Sequence, residues 1–137
     1  MVNIALFIDG ENIPARCYEK VMAVARKKGC VLIQRVFRRR NDPCTKKWDK
    51  AVANYKELKI QCIEGKACKN KIDKVIISQI KDLLYKSSKA LDIIIVVTND
   101  HGYSNIIEEI RSMGIEAAVI GTTNLSKRLK KYALSIL

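Results

Sequence analysis

Two nearly continuous apolar runs constrain the fold of this chain more than any other feature. The first covers residues 2–8 and reads Val-Asn-Ile-Ala-Leu-Phe-Ile, and the second covers residues 91–98 and reads Leu-Asp-Ile-Ile-Ile-Val-Val-Thr. Strands with so little polar alternation are buried on both faces, which is typical of parallel sheets covered by helices. We therefore predict two such strands and expect the second, the stronger of the two, to be central.

Shorter apolar segments and helical spacings predict the other elements. Residues 30–37, 60–63 and 115–120 are short, mainly apolar segments and predict three further strands. Apolar residues recur at helical spacing between the strands, and Asn12 and Pro14 suit the start of the first helix. The predicted helices lie between Asn12 and Gly29, over residues 43–58, along the stripe from Ile72 to Leu84, before Gly114, and over residues 125–137 as a basic terminal helix.

This alternation of strands and helices favours one fold class. Parallel strands need helical crossovers, which are right-handed and cover both faces of the sheet. We therefore predict an α/β fold, a three-layer sandwich around a five-stranded, mainly parallel sheet. The 137 residues suffice for one hydrophobic core, and we find no linker, repeat or low-complexity segment among them. We expect a single domain over residues 1–137.

The cysteines and the first residues bear on the compartment. An odd number of cysteines without a Cys-x-x-Cys pair, together with one histidine, argues against a disulfide framework or a zinc site. No apolar run approaches the roughly 18 residues of a membrane span, and the start lacks a basic leader. We expect a cytoplasmic protein with reduced thiols and no membrane partner. The cysteines are Cys17, Cys30, Cys44, Cys62 and Cys68.

The charge balance points to a polyanionic partner. Lysine and arginine total 26 against 14 aspartate and glutamate residues, a formal net charge of +12. Such a balance raises the local concentration of nucleic acids and suits phosphate contacts. The alternative is a lysine-rich, solvated surface without a specific partner. Charge alone therefore favours nucleic acid binding but does not establish it.

Three acidic residues are expected at one edge of the sheet. Asp9 ends the first apolar run, Asp100 follows the second, and Asp73 stands at a helix start. In open parallel sheets, ligands bind outside the carboxyl ends of the strands. Each acid alone also has an ordinary explanation, in turn formation, helix capping or complementation of the helix dipole. Together, their oxygen ligands without histidine or cysteine favour Mg²⁺ or Mn²⁺ over zinc.

Other catalytic schemes lack their motifs. The chain has no Gly-x-x-x-x-Gly-Lys-Ser/Thr loop, no Gly-x-Gly-x-x-Gly turn after the first strand and no Gly-x-Ser-x-Gly elbow. A nucleophile–histidine system would have to use His101, and nothing near it in the sequence supports one. Metal-assisted hydrolysis of phosphodiester bonds remains as the reaction to consider.

Three segments in this order resemble the NYN domain family, in its LabA-like branch of the PIN-like nucleases. They are IALFIDGEN at residues 4–12, GKACKNKIDKVIISQIKDLLY at residues 65–85, and VVTNDHGYSNIIEEIRSMGIEAAVIG at residues 96–121. The resemblance implies a sheet of order 3-2-1-4-5, a divalent metal and RNA as the substrate. It also implies that Asp9, Asp73 and Asp100 bind the metal and that Asn12 orients a ligand or water.

Two positions depart from the family pattern. The family usually has an acid at the positions of Gln79 and Gly102, so two carboxylates are replaced. Fewer carboxylates hold a cation more weakly. Glu11 and His101 could compensate in part or could be solvated loop residues. Two hypotheses follow: a metal-dependent endoribonuclease, or a catalytically degenerate NYN domain that binds RNA or a partner protein without cleavage.

Basic residues are expected to flank the acidic cleft and to bind RNA phosphates, most simply of a single strand. A separate basic patch on the last helix could be surface charge alone. Trp48 and Tyr103 could stack on unpaired bases, with packing as the alternative. A homodimer is compatible with the terminal helix but has no residue-level argument. The flanking residues are Arg38, Arg39, Arg40, Lys46, Lys47, Lys66, Lys69, Lys71 and Lys74, and the patch is Lys127, Arg128, Lys130 and Lys131.

Overall fold

The structure is a computed structural model that describes residues 1–63, 71–87 and 90–137. In these ranges the chain forms six strands and four α-helices. The strands are β1 (Asn3–Asp9), β2 (Cys30–Arg39), β3 (Leu58–Ile63), β4 (Ile93–Val97), β5 (Glu116–Gly121) and β6 (Ala133–Ile136). The helices are α1 (Tyr18–Arg26), α2 (Lys47–Asn54), α3 (Ile72–Ser87) and α4 (Ser104–Ser112). Short 3₁₀ helices cover Ala15–Cys17, Pro43–Thr45, His101–Tyr103 and Lys127–Tyr132.

The strands form one sheet of order β3-β2-β1-β4-β5-β6, with parallel pairing throughout. The predicted α/β fold with its mainly parallel sheet is therefore confirmed. β1 and β4, the two most apolar runs, are central neighbours, with Ile8 paired to Val97. Their carboxyl ends therefore open at the same edge of the sheet, at the point where the strand order reverses.

Each face of the sheet packs on two helices, which gives the predicted three layers. Phe7, Ile94 and Val96 point to one face and pack against the buried stripes of α3 and α4. Leu6 and Ile95 point to the other face and pack against α1 and the Trp48 side of α2. This alternation buries both faces of β1 and β4, because successive side chains of a strand point to opposite sides. Within the described ranges, none of the helices has the length and apolar character that crossing a bilayer requires.

The predicted terminal helix is wrong. Residues 127–132 form a 3₁₀ helix, and Ala133–Ile136 then forms the sixth strand, parallel to β5. Leu125, Leu129 and Tyr132 are buried at helical spacing, which explains the prediction. Beyond Tyr132 the chain extends, and the Leu137 amide donates to the Gly121 carbonyl at 2.7 Å. The edge of β5 thus satisfies backbone groups that a longer helix would have bonded internally.

Local boundaries also differ from the predictions. The expected helix over residues 43–58 is only α2, because Tyr55 is extended and β3 already starts at Leu58. Gly114 ends the α4 region with a φ of +80°, the left-handed conformation that favours glycine.

Of the five cysteines, Cys68 lies outside the described residues, and the other four are not in disulfides.

Candidate functional site

Three aspartates from three elements line one pocket at the carboxyl edge of the sheet. Asp9 ends β1, Asp100 follows β4 at the start of the 3₁₀ helix, and Asp73 lies in the first turn of α3. The pocket has a volume of about 220 Å³. The four predicted site residues, including Asn12, all lie in its wall. Its full lining is Asp9, Glu11, Asn12, Arg39, Lys71, Ile72, Asp73 and Asp100.

Asp9 is the buried member of the three. Its side chain is almost enclosed, with an exposed fraction of 3%. Its Oδ2 accepts hydrogen bonds from the Tyr103 hydroxyl at 3.1 Å and the Thr98 hydroxyl at 3.3 Å, and its Oδ1 accepts from the Glu11 amide at 3.2 Å. Burial raises the pKa of Asp9 to about 6, although the bond from Tyr103 acts in the opposite direction. These hydrogen bonds therefore hold the Asp9 carboxylate in place, although its burial costs solvation free energy.

Tyr103 and Trp48 do not have the base-stacking role that we considered. The Tyr103 side chain is fully buried, and burial followed by the nearby Asp9 charge raises the pKa of its hydroxyl. The Trp48 ring is also buried and donates its Nε1–H to the Ile13 carbonyl at 2.9 Å. Packing is thus the correct interpretation for both rings. Tyr103 gains a further role as a donor to Asp9, which sequence reasoning missed.

Asn12 connects the ends of the two central strands. Its Oδ1 accepts a hydrogen bond from the Asn99 amide at 3.3 Å, directly before Asp100. The Asn12 amide in turn donates to the Asp9 carbonyl at 3.1 Å. The first helical segment begins after Pro14, so the expected capping role of Asn12 is wrong. Its side chain instead fixes the spacing between the chain segments that carry Asp9 and Asp100.

Gly102 lies between the other two aspartates. A Cβ atom at this position would stand 3.2 Å from Asp73 Oδ2 and 3.5 Å from Asp100 Oδ1. Asp100 Oδ1 accepts the Gly102 amide at 3.0 Å, which is the capping bond of the 3₁₀ helix. Asp73 Oδ1 accepts the Lys74 amide at 2.9 Å. A side chain at position 102 would therefore start within contact distance of both carboxylates.

Cations stand at the rim of this acidic pocket. Arg39 is buried, and its Nε lies 2.7 Å from Glu11 Oε1. Lys71 is exposed at the entrance to α3. His101 is exposed, with its Nδ1 3.7 Å from Asp100 Oδ1, and it does not line the pocket. The pocket thus combines carboxylates with positive groups that suit a phosphate beside a cation.

The predicted RNA-binding residues divide into four groups. Arg38 is buried and contradicts the prediction, because its Nε and Nη2 both donate to Asp49 at 2.9 Å and its Nη1 donates to the Arg39 carbonyl. The Asp49 carboxylate raises the pKa of Arg38, and Arg38 lowers the pKa of Asp49. Lys66 and Lys69 lie outside the described residues. Arg39 and Lys71 line the pocket. The other predicted RNA-binding residues are exposed and do not line it: Arg40, Lys46, Lys47 and Lys74.

Gln79 does not belong to the carboxylate pocket. It accepts a hydrogen bond from Arg35 Nη1 at 3.0 Å and donates to Gln61 on β3. These three residues line a separate cavity of about 440 Å³ between α3 and the β2–β3 edge. We expected Gln79 and Gly102 to weaken the same site, and the structure corrects this for Gln79. Six residues along α3 correspond to about 9 Å, which explains the separation from Asp73.

The donor chemistry of the pocket fits a hard divalent cation. Asp9, Asp73 and Asp100 offer carboxylate oxygens, and none of the cysteines that the structure describes lines the pocket. Within the described ranges, no group of three histidine, cysteine or acidic side chains is arranged closely enough to hold a metal ion as it stands. Asp73 Oδ2 and Asp100 Oδ1 both face the space beside Gly102.

Comparisons with known proteins place this fold and pocket in a family. The profile of the NYN domain matches residues 3–136. A crystal structure of a protein of unknown function from Vibrio parahaemolyticus is 20% identical, with a TM-score of 0.72 over 99% of this chain and 91% of that chain. A Glycyrrhiza uralensis structure with bound glycyrrhetinic acid 3-O-monoglucuronide is 13% identical, with a TM-score of 0.47 over 88% of this chain and 28% of that chain. The comparison with curated proteins gave no match.

The Vibrio structure supports the fold alone, which it shares over almost the whole chain. The LabA-like branch stays a prediction. The profile match covers nearly every residue, including the segments that carry Asp9, Asp73 and Asp100. The chain therefore belongs to the NYN domain family, within the PIN-like nuclease superfamily.

Proposed function

We propose that this NYN domain is a divalent-metal-dependent endoribonuclease that cleaves single-stranded RNA. Asp9, Asp73 and Asp100 would hold Mg²⁺ or Mn²⁺. Asn12 would fix the distance between the chain segments that carry Asp9 and Asp100. When bound, such a cation would supply Lewis-acid polarisation of the scissile phosphate and activation of water. A cytoplasmic location and a homodimer remain predictions.

One observation carries the proposal: three aspartates from β1, α3 and the end of β4 converge on one pocket at the sheet edge. Burying the Asp9 carboxylate costs solvation, and a cation bound between the three carboxylates would offset this cost. Membership of a nuclease superfamily and the frequent binding of RNA by NYN domains agree with this interpretation. The net charge of +12 favours a polyanionic substrate.

The residues around the pocket have separable tasks. Tyr103 and Thr98 donate to Asp9 Oδ2 and so fix the orientation of this carboxylate. Arg39 and Lys71 offer positive charge for the non-bridging phosphate oxygens at the rim. Arg39 also pairs with Glu11, which keeps the guanidinium at the pocket when no phosphate is present.

Gly102 favours the second candidate function, an NYN domain that binds RNA or a partner protein without cleaving RNA. Position 102 faces Asp73 and Asp100, and glycine supplies no carboxylate there. A site with fewer anionic ligands binds a cation less tightly. The two functions share the fold and the basic rim, so they differ in one measurable respect: cleavage in the presence of the metal.

A cleavage assay tests the proposal. Single-stranded RNA with blocked ends is incubated with the protein in Mn²⁺, Mg²⁺ or EDTA, beside Asp9→Asn, Asp100→Asn and Asp82→Asn. Asp82 is an exposed carboxylate on the same helix as Asp73, but it lines the other cavity, which makes it a matched control. We expect internal cuts that need the metal, a loss of about 100-fold or more in the first two variants, and none in the control.

Two results would reject the enzymatic proposal. Equal cleavage by the wild type and the Asp9 and Asp100 variants would assign the activity to a contaminant. No cleavage by the wild type in either metal, combined with RNA binding, would establish the degenerate domain instead. An exonuclease would instead degrade a parallel RNA with free ends and leave the blocked RNA intact.

A further inference from the structure

A second groove lies beside the carboxylate pocket, on the far side of the turn His101–Tyr103. The helix α4 contributes Ser104, Asn105 and Glu108 to it, and the 3₁₀ helix Lys127–Tyr132 contributes Lys127, Arg128 and Lys131. Its volume is about 610 Å³, larger than that of the pocket. We call it the basic groove. The proposed function gives it no role.

The basic groove and the pocket are close neighbours. Asp100 lines the pocket and Ser104 lines the groove, and only the 3₁₀ turn separates them. At a rise of about 2 Å per residue, four residues of such a turn span about 8 Å. The two sites are therefore close enough for one single strand of RNA to contact both.

A hydrogen-bond network fixes the groove relative to the aspartates. Asn99 precedes Asp100, and its side chain accepts the Thr122 amide at 2.8 Å and donates to the Thr122 hydroxyl at 2.8 Å. Its carbonyl accepts the Ser126 amide at 3.0 Å, directly before Lys127. The same Asn99 donates its own amide to Asn12. The basic segment is thus tied to the chain that carries Asp100.

The cations of the groove lie on a segment whose apolar residues are buried. Leu129 and Tyr132 are buried beneath the segment, so Lys127, Arg128 and Lys131 face outward. None of these three side chains has an ion pair within the described part of the chain. The acidic side chain in the groove wall is Glu108, and it accepts a hydrogen bond from the Tyr132 hydroxyl. The groove therefore carries a net positive charge, in contrast to the acidic pocket.

We propose that the basic groove binds the sugar–phosphate backbone of the RNA strand whose neighbouring phosphate lies at the carboxylate pocket. Lys127, Arg128 and Lys131 are then RNA-positioning residues, with Arg128 suited to a bidentate phosphate contact. That RNA is the ligand rests on the proposed function. This binding needs neither the metal nor cleavage, because phosphate contacts form in EDTA as well.

Equilibrium binding tests this assignment. Fluorescence anisotropy of a labelled single-stranded RNA is measured in EDTA at several salt concentrations. The variant Lys127→Gln/Arg128→Gln/Lys131→Gln is compared with Lys20→Gln/Lys27→Gln/Lys28→Gln, which removes three exposed cations from α1 and the loop after it. That loop enters β2 at the opposite, amino-terminal edge of the sheet. Both variants change the net charge equally, so only the position differs.

We expect a selective loss in the groove variant. Losing three phosphate contacts on a single strand should reduce the slope of log affinity against log salt by about 2, which corresponds to roughly 10- to 100-fold in Kd at 0.1 M salt. The control variant should bind nearly as the wild type does. If the triple groove variant fails to fold by circular dichroism, Lys127→Gln/Arg128→Gln gives the same test with about two thirds of the slope change.

The outcomes separate this inference from the proposed function. Equal losses in the two triple variants, or no loss in the groove variant, would overturn the inference and leave metal-dependent cleavage untouched. A selective loss of RNA affinity without any cleavage by the wild type would support the groove and reject the nuclease. A wild type that binds no RNA would reject both.

Discussion

Replacing Asp9 by asparagine should stabilise the protein when no metal is present. The Asp9 carboxyl group is 3% exposed, and burial raises its pKa from 3.8 to about 6. A pKa difference of about 2 corresponds to about 3 kcal/mol between the two protonation states. Asparagine has nearly the same shape and carries no charge, so it avoids this cost at neutral pH.

The sign of the effect follows from proton binding. As the pH rises from 3.8 to 6, the unfolded chain releases the Asp9 proton while the folded protein retains it. The free energy of unfolding therefore falls through this window and stays low above it. The substituted asparagine would lose one of the three hydrogen bonds that Asp9 accepts, because its amide nitrogen is no acceptor. At pH 8 in EDTA we expect Asp9→Asn to exceed the wild type by about 1–2 kcal/mol.

Urea denaturation between pH 4.5 and 8 measures this difference, with the exposed Asp82→Asn as the control. The advantage of Asp9→Asn should shrink towards pH 4.5. Saturating Mn²⁺ should reverse the order, since a ligand at 100 times its Kd adds about 2.7 kcal/mol to the wild type alone. An advantage that does not depend on pH, or a variant less stable than the wild type at pH 8, would refute the argument.

Three further substitutions test neighbouring parts of the structure. Gly102→Asp should tighten Mn²⁺ binding in a calorimetric titration, and Gly102→Asn should not, because only the aspartate adds a charge beside Asp100. Arg38→Gln should lower the free energy of unfolding by about 2 kcal/mol through its lost bonds to Asp49, while the RNA affinity of the folded variant stays unchanged. Tyr103→Phe should raise the pKa of Asp9 further and cost about 1 kcal/mol in urea denaturation at pH 8.

The central sheet was predictable because its signal is local. The runs that form β1 and β4 are buried on both faces, so apolar composition alone identifies them. The sixth strand gave no comparable signal. It has four residues, follows a segment with helical spacing, and gains its hydrogen bonds from the edge of β5. Edge pairing of this kind depends on the tertiary structure, which a local pattern does not contain.

The placement of Asp9 and Asp100 at one edge of the sheet was predictable for a related reason, since all strands of a parallel sheet have their carboxyl ends at the same edge. Tyr103 was not, because its bond to Asp9 joins residues 94 positions apart. Arg38 carried a usable signal: successive residues of a strand face opposite sides, so Arg38 and Arg39 cannot both point into one cleft. Arg39 lies at the pocket, and Arg38 is paired with Asp49.

The two replaced acids of the family pattern lie in different places in the structure. At position 102 a side chain starts 3.2 Å from Asp73 Oδ2, and the backbone there does not need the left-handed conformation that Gly114 adopts. An aspartate at position 102 would therefore need only a small shift of the Asp73 side chain, without backbone strain, to stand beside the other carboxylates. At position 79 a carboxylate would meet Arg35 in the other cavity and would be neutralised there. If the proposed function holds, cation binding at this site should therefore respond to position 102 and not to position 79, because Gln79 lines the other cavity.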